Sequence, residues 1–387
     1  MEIYTVGGAV RDELLGIAVQ DRDYVVVGSS PAEMIERGFR PVGRDFPVFL
    51  HPQTNEEYAL ARTERKVARG YRGFTIYASP DVTLEEDLAR RDLTINAIAR
   101  DAQGRIIDPF GGAADLKAGI LRHVGPAFAE DPVRILRAAR FSARFSFEVA
   151  AETMALMQRM VREGESDALV AERAWQEISR GLMERSPRRM FAVLAEAGLL
   201  ARLLPELGLE FENGAPANDA ARVSMAALDH AQSQGYALPE RYAVLSWGLR
   251  AAGSAEARLR AVSARLHAPN DCCEIALIAL RHAGSVKRAP RLGAPALLAL
   301  LEACDAFRRP SRLDALVRTC EAESFGERGW MEIPYAGRAL VHLALAAAMA
   351  IDPGAIARRS AKPQIAENIR AARLQAIRGT LAGARRR

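Results

Sequence analysis

Cysteine and histidine are scarce in this chain, and no apolar run is long enough to span a bilayer. The four cysteines, Cys272, Cys273, Cys304 and Cys320, show no Cys-x-x-Cys spacing. That excludes a zinc-ribbon framework and a disulfide-stapled fold, and it fits a reducing cytoplasm. The longest apolar stretch, Leu340 to Ile351, is too short for a membrane span and contains His342. The strand-like Ile3–Val6 follows the first residues directly, so no signal peptide and no membrane partner are expected. No internal repeat is visible, which argues against a solenoid.

What is present is a chain of 387 residues, 49% hydrophobic, long enough for more than one domain. The net charge of +5 favours a polyanionic partner, although a general arginine bias would give the same excess. Candidate strands at Ile3–Val6, Tyr24–Val27, Val48–Leu50, Glu57–Ala61 and Phe74–Ala78 alternate with short helices, one capped by Ser30 with Pro31 at its first position. From about residue 127 the pattern is helical and rich in alanine and leucine, with a plausible boundary at Pro205 and Gly214–Asn218. The closing arginines at 385–387 read as a frayed basic tail.

The chemistry concentrates early. Gly7-Gly8-Ala9-Val10-Arg11-Asp12 is followed by Asp21-Arg22-Asp23 at the edge of the apolar Tyr24–Val27. Carboxylates at i and i+2 on a strand share a face. They repel unless a cation lies between them, and Mg²⁺ is the cation that takes carboxylate oxygens together with substrate phosphates. The two glycines let backbone approach a phosphate, and Arg11 adds a planar donor fork. An isolated Asp-x-Asp is most often a pair of solvated turn acids; the order strand, Gly-Gly, helix, Asp-x-Asp, strand is far more specific for nucleotidyl transfer.

Two further clusters follow. In Glu85–Ala97, Arg91 is placed to meet a triphosphate with Asp92 orienting an arginine. In Glu130–Phe141, Pro132 suits a first helical turn, and Asp131, Arg134 and Arg137 fall on one stripe, offering a fixed acceptor and donor edge to a base. Between the Asp-x-Asp and Glu85 lies Arg62–Gly73, basic and glycine-containing, which reads as a mobile loop beside the site.

These segments resemble the class II tRNA nucleotidyltransferases, the CCA-adding enzymes of the polymerase-β-like superfamily. The strings that carry the likeness are GGAVRD with DRDYVVVG, RRDLTINAIA, IIDPFGGAADL, EDPVRILRAARF and ERAWQEISRGL, in family order from residue 3 to about 205. The resemblance implies an α+β fold: a polymerase-β-like nucleotidyltransferase head with a small mixed sheet (1–126), a helical neck (127–205) and an all-helical body and tail (206–387). It implies that Asp21 and Asp23 hold catalytic Mg²⁺, with Glu57 where a third carboxylate would fall. Gly8, Arg11, Arg91, Arg137 and Arg140 would contact the incoming nucleotide. Asp131 and Arg134 would select CTP and then ATP, and Asp108–Leu116 would be a hinge. The partner would be a tRNA lacking its 3′ CCA; the oligomeric state stays open.

Many relatives with this head carry a C-terminal HD phosphohydrolase domain. This chain has no His-Asp dipeptide; Trp247 and Gly248 stand where one would be expected, and Asp229-His230 runs in the reverse order, as a helix-surface pair. A degenerate HD-like body without hydrolase activity is therefore expected. Basic residues such as Arg358, Arg359, Arg370, Arg373 and Arg378 are candidate RNA-backbone contacts. Rival readings are a bacterial poly(A) polymerase, which shares the head, and a catalytically silent tRNA-binding protein.

Overall fold

The computed structural model describes residues 1–42, 48–66, 74–251, 254–328 and 336–384. Most of the glycine-containing loop (67–73) and the basic tail (385–387) lie outside the described residues. The chain divides into two compact units, Met1–Leu203 and Leu204–Arg387.

The first unit is built on strands β1 (Glu2–Val6), β2 (Asp23–Val27), β3 (Arg40–Val42), β4 (Val48–Leu50), β5 (Glu57–Leu60), β6 (Arg62–Lys66), β7 (Phe74–Ala78), β8 (Ala99–Arg100) and β9 (Ile106–Ile107). Seven of them form a mixed sheet in the order β3-β4-β5-β2-β1-β8-β9. The parallel contact is β2 with β5; the neighbours on either side are antiparallel. Both faces are buried, which explains the unbroken apolar run of β2. Val25 packs with Val6, Leu88 and Ala99 on one face, and Val26 packs with Met34, Phe49, Tyr58 and Leu60 on the other. Arg62–Lys66, expected as the start of a loop, is a strand, because it pairs antiparallel with Phe74–Ala78.

Helices α1 (Gly8–Leu14), α2 (Pro31–Glu36), α3 (Leu84–Ala89) and α4 (Gly112–Ala118) cover the sheet and its ends. Ser30 caps α2 through Glu33 N, and Thr83 with Glu86 forms a capping box on α3. In the segment expected as a hinge, Asp108 accepts from Gly112 N and Ala113 N at 2.7 and 2.9 Å and so fixes the start of α4. There follow α5 (Val133–Phe145), α6 (Ala151–Arg162), α7 (Ala171–Met183), α8 (Pro187–Glu196) and the single turn α9 (Leu200–Leu203). Helix α5 is buried along Ile135, Leu136, Ala138, Ala139 and Ala143, and it leaves Arg134 and Arg137 on its open side.

The second unit is helical: α10 (Asp219–Ser233), α11 (Leu238–Leu245), α12 (Ala255–Arg265), α13 (Asn270–Lys287), α14 (Ala294–Ala303), α15 (Pro310–Arg328), α16 (Ala336–Met349), α17 (Pro353–Arg359) and α18 (Ile365–Ala384). No single helix among the described residues is long and apolar enough to cross a membrane. The four cysteines form no disulfide, and Cys272, Cys304 and Cys320 are buried.

Candidate active site

Strand pairing brings the site together at one end of the sheet. Val6, the last residue of β1, pairs with Asp23, the first of β2, and Asp23 pairs in parallel with Glu57, the first of β5. The Gly7-Gly8 turn therefore leaves the sheet beside Asp23, and the Asp23 and Glu57 carboxylates are cross-strand neighbours on one face. Gly7 adopts φ +68°, and a Cβ there would lie 2.8 Å from Arg91 Nη1, so only glycine allows this close approach. Asp21 lies just before β2, outside any helix or strand, and is exposed.

A cavity of about 490 Å³ opens here, of a size that holds a nucleotide. Gly7, Gly8, Arg11, Asp23 and Arg91 line it together with Asp131, Arg134, Arg137 and Phe141. Arg62, Arg90, Asp92, Asn96, Val133 and Arg173 complete it. Asp21, Glu57 and Arg140 do not line it.

The arginines are held by a buried acidic frame. Asp87, fully buried on α3, accepts from Arg90 Nε and Nη2 at 3.0 and 2.8 Å and from Arg91 Nη2 at 3.3 Å. Burial pushes the Asp87 carboxyl up, but the two guanidiniums hold it below the usual carboxylate range. Asp92, expected to orient an arginine, orients Arg137, accepting from its Nε at 2.7 Å. The i,i+4 spacing from Asp87 to Arg91 places Arg91 with Asp87. Burial likewise raises the Asp92 carboxyl, and Arg137, Asn96 and Arg134 outweigh it. Arg11 lies over the rings of Phe141 and Phe145 and donates to Asn96 Oδ1 at 2.6 Å.

Just before α5 the Asp131 carboxylate is tied down twice. Its Oδ1 accepts from Val133 N at 3.1 Å, and Arg173 of α7 donates to both carboxylate oxygens. Arg134 donates to the carbonyls of Arg90 and Arg91 at 2.7 and 3.2 Å. Arg140, expected at the nucleotide, is roughly 120° around the helix from Arg134. It is 6% exposed and points at α7, where Glu177 and Glu184 accept from it at 2.5 and 3.4 Å. The structure thus brings Gly8, Arg11, Asp23, Arg91, Asp131, Arg134 and Arg137 to one cavity, sets Glu57 beside Asp23 and leaves Arg140 as a buried tie between α5 and α7. Sequence reasoning missed Arg173, Asn96, Asp87 and Arg62. The spacing of Arg173 and Glu177 at i,i+4, facing the acids and bases of α5, is the signal that finds the first.

For a metal, the hard oxygen donors of Asp21 and Asp23, with Glu57 alongside, suit a cation that also takes phosphate oxygens. Arg91 lies close enough to Asp23 to attract it electrostatically. No group of three His, Cys, Asp or Glu side chains converges among the described residues.

In the second unit, Trp247 and Gly248 lie in a short 3-10 turn after α11. A Cβ on Gly248 would lie 2.4 Å from the Leu207 carbonyl oxygen. His230, expected on a helix surface, is 6% exposed and stacks on Phe325 at 3.8 Å, because α10 packs on α15. Of the basic residues near the C-terminus, Arg370 pairs with Glu302 at 2.9 Å and Arg373 lies over the Phe307 ring.

Residues 3–122 match the family described as the poly A polymerase head domain, and residues 146–209 match the probable RNA and SrmB-binding site of polymerase A. A multifunctional CCA protein of Chromobacterium violaceum is 54% identical, over 97% of this chain and 98% of that protein. Another, of Burkholderia ambifaria, is 51% identical over 99% of both. Among solved structures, the Bacillus stearothermophilus CCA-adding enzyme in complex with CTP superposes with a TM-score of 0.67 at 23% identity, covering 97% of this chain and 89% of that one.

Proposed function

The chain belongs to the bacterial CCA-adding tRNA nucleotidyltransferases, and from that premise we propose how its cavity performs the reaction and which residues carry it. The substrates are CTP, ATP and a tRNA lacking its 3′ CCA. The RNA 3′-oxygen attacks the α-phosphorus, a new phosphodiester forms, the α–β phosphoanhydride breaks and pyrophosphate leaves; the hydroxyl proton passes to solvent. Family membership implies a divalent cation, and Mg²⁺ is our assignment. Held by Asp21 and Asp23, it would lower the pKa of the 3′-hydroxyl and neutralise triphosphate oxygens.

The chain's own groups do the rest. Arg11 and Arg91 face the triphosphate from beside the Gly7-Gly8 turn, where backbone can come close. Asp131 and Arg134 read the base. Val133 N and Arg173 occupy three of the roughly four acceptor directions of the Asp131 carboxylate, so one remains, on Oδ2. A single acceptor beside a guanidinium donor matches cytosine and adenine, which both present an amino donor next to a ring-nitrogen acceptor. Uracil and guanine present the reverse order, and a mismatch leaves buried groups unpaired.

The observation that carries this reading is the single cavity that Gly8, Arg11 and Asp23 share with Asp131, Arg134 and Arg137. Extension of a tRNA lacking CCA, read at single-nucleotide resolution with CTP, ATP or both, tests it. Two C and one A, then a stop, is the expected product. A long A ladder would assign the chain to the poly(A) polymerases, and tRNA binding without extension would overturn the enzyme.

We assign no phosphohydrolase activity to the second unit. Trp247 and Gly248 supply no metal ligand, and the crowding of Gly248 by the Leu207 carbonyl supports that reading. Metal-dependent 2′,3′-cyclic phosphodiesterase activity of the purified protein would refute it. A cytoplasmic setting belongs to the same proposal.

A further inference from the structure

We propose that Asn96 is the positioning residue that ties the phosphate end of the cavity to its base-selecting helix. The proposal rests on the nucleotidyltransferase reading and adds a residue to it. Asn96 ends a short 3-10 turn, Thr94–Asn96, and is 6% exposed. Its amide is used at both ends: Oδ1 accepts from Arg11 Nη1 at 2.6 Å, and Nδ2 donates to Asp92 Oδ1 at 2.9 Å. The other Asp92 oxygen accepts from Arg137 Nε at 2.7 Å. An unbroken chain of hydrogen bonds therefore runs Arg11–Asn96–Asp92–Arg137, from α1 to α5. The Phe141 ring stands between the same two guanidiniums, 5.1 Å from Arg11 and 5.6 Å from Arg137.

The residue type follows from the neighbours. A group between a guanidinium and a carboxylate must accept at one end, donate at the other and carry no charge of its own. Asparagine does this; aspartate would meet Asp92 as a like charge, and alanine would leave Arg11 and Asp92 each short of a partner. The charged groups facing the amide are Arg11 from α1, Arg91 and Asp92 after α3, and Arg134 and Arg137 from α5. Arg11 is also paired with Asp12 at 2.7 Å and Arg137 lies 4.0 Å from Glu177, so the amide is not their sole anchor but the one neutral link that sets the two arginines relative to each other, and nucleotide affinity and the CTP-to-ATP register depend on it.

The test uses Asn96→Ala and Asn96→Asp in the full-length protein, with CTP binding followed by calorimetry and tRNA extension followed in parallel from about pH 6 to about pH 9. Asn96→Ala is expected to raise the KM for both nucleotides by about tenfold to a hundredfold, with the smaller change in kcat. In Asn96→Asp two buried carboxyls share a proton, and one apparent pKa rises. Once protonated, the new carboxyl donates to Asp92 and accepts from Arg11 as the amide does. Binding by this variant is therefore expected to recover toward wild type as pH falls, while Asn96→Ala stays flat. Wild-type affinity in Asn96→Ala, or the same flat profile in both variants, overturns the proposal. If the wild-type protein binds CTP but adds no CCA, the enzymatic reading fails, and the binding profiles still judge the role of Asn96.

Discussion

Arg173 closes on Asp131 with both terminal nitrogens, at 3.1 and 2.7 Å, so the carboxylate on the nucleotide side of α5 is held from outside its own helix. A two-point clasp fixes the plane of the carboxylate as well as its place. Lysine cannot reproduce it, because an ammonium is a point charge on a flexible stem. Arg173→Lys is therefore expected to loosen base choice more than it slows correct addition. The ratio of CTP to UTP incorporation should fall by roughly 1–3 kcal/mol equivalent, about tenfold to a hundredfold. Single-turnover incorporation of each nucleotide measures the ratio, and an unchanged ratio would show that Asp131 is aligned by something else.

Gly7 and Arg91 set the second expectation. A side chain at Gly7 meets φ +68° with ψ −127°, a sparsely populated region that favours glycine and costs about 1–3 kcal/mol, and its Cβ would lie only 2.8 Å from Arg91 Nη1. That nitrogen donates to the Asn96 carbonyl, and Nη2 of the same guanidinium donates to Asp87. Gly7→Ala should lower the urea midpoint modestly and weaken CTP binding severely. Normal CTP affinity in a variant that is merely less stable would remove Gly7 from the nucleotide site.

Asp87 gives a prediction with a definite pH sign. Its carboxyl is held below the usual range, so the stability it contributes is present above the unfolded-state value, about 3.9, and is lost as pH falls through the lower folded-state value. Asp87→Asn leaves Arg90 and Arg91 without their buried counter-charge and should cost about 3–5 kcal/mol near neutrality. The stability gap between the two proteins should be level from about pH 8 to about pH 5 and close only in stronger acid. A gap that shrinks between about pH 8 and about pH 6 would mean that another group is responsible.

How much of this was legible in sequence depends on the distance over which the signal acts. Local patterns marked β1 and β2, the cap of α2 and the start of α5, because apolar alternation and cap chemistry are written within a few residues. Strand neighbours are not written locally. That Glu57 stands beside Asp23 depends on a parallel pairing across 34 positions, and only family resemblance anticipated it. The polar run Arg62–Lys66 has no strand-like composition; it is a strand because Phe74–Ala78 is there to pair with it. Arg140 looked equivalent to Arg134 and Arg137 until α7 placed Glu177 and Glu184 on its side of the helix.

Gly248 offers the sharpest test of the second unit. Restoring a His-Asp dipeptide by Trp247→His with Gly248→Asp would supply two ligand types in the expected order. It would also drive a side chain into a space where the Leu207 carbonyl lies 2.4 Å from any Cβ and Ala220 Cβ lies 3.3 Å away. A backbone carbonyl does not swing aside as a side-chain tip does, so the 3-10 turn or the Leu207 segment must shift, at about 1–3 kcal/mol. Gly248→Ala alone should show that loss in a urea titration, and the double variant should be no more stable and should bind no Mn²⁺ by calorimetry. A double variant that binds Mn²⁺, hydrolyses a 2′,3′-cyclic phosphate and keeps wild-type stability would mean that the packing around Gly248 does not keep a His-Asp pair from forming a metal site.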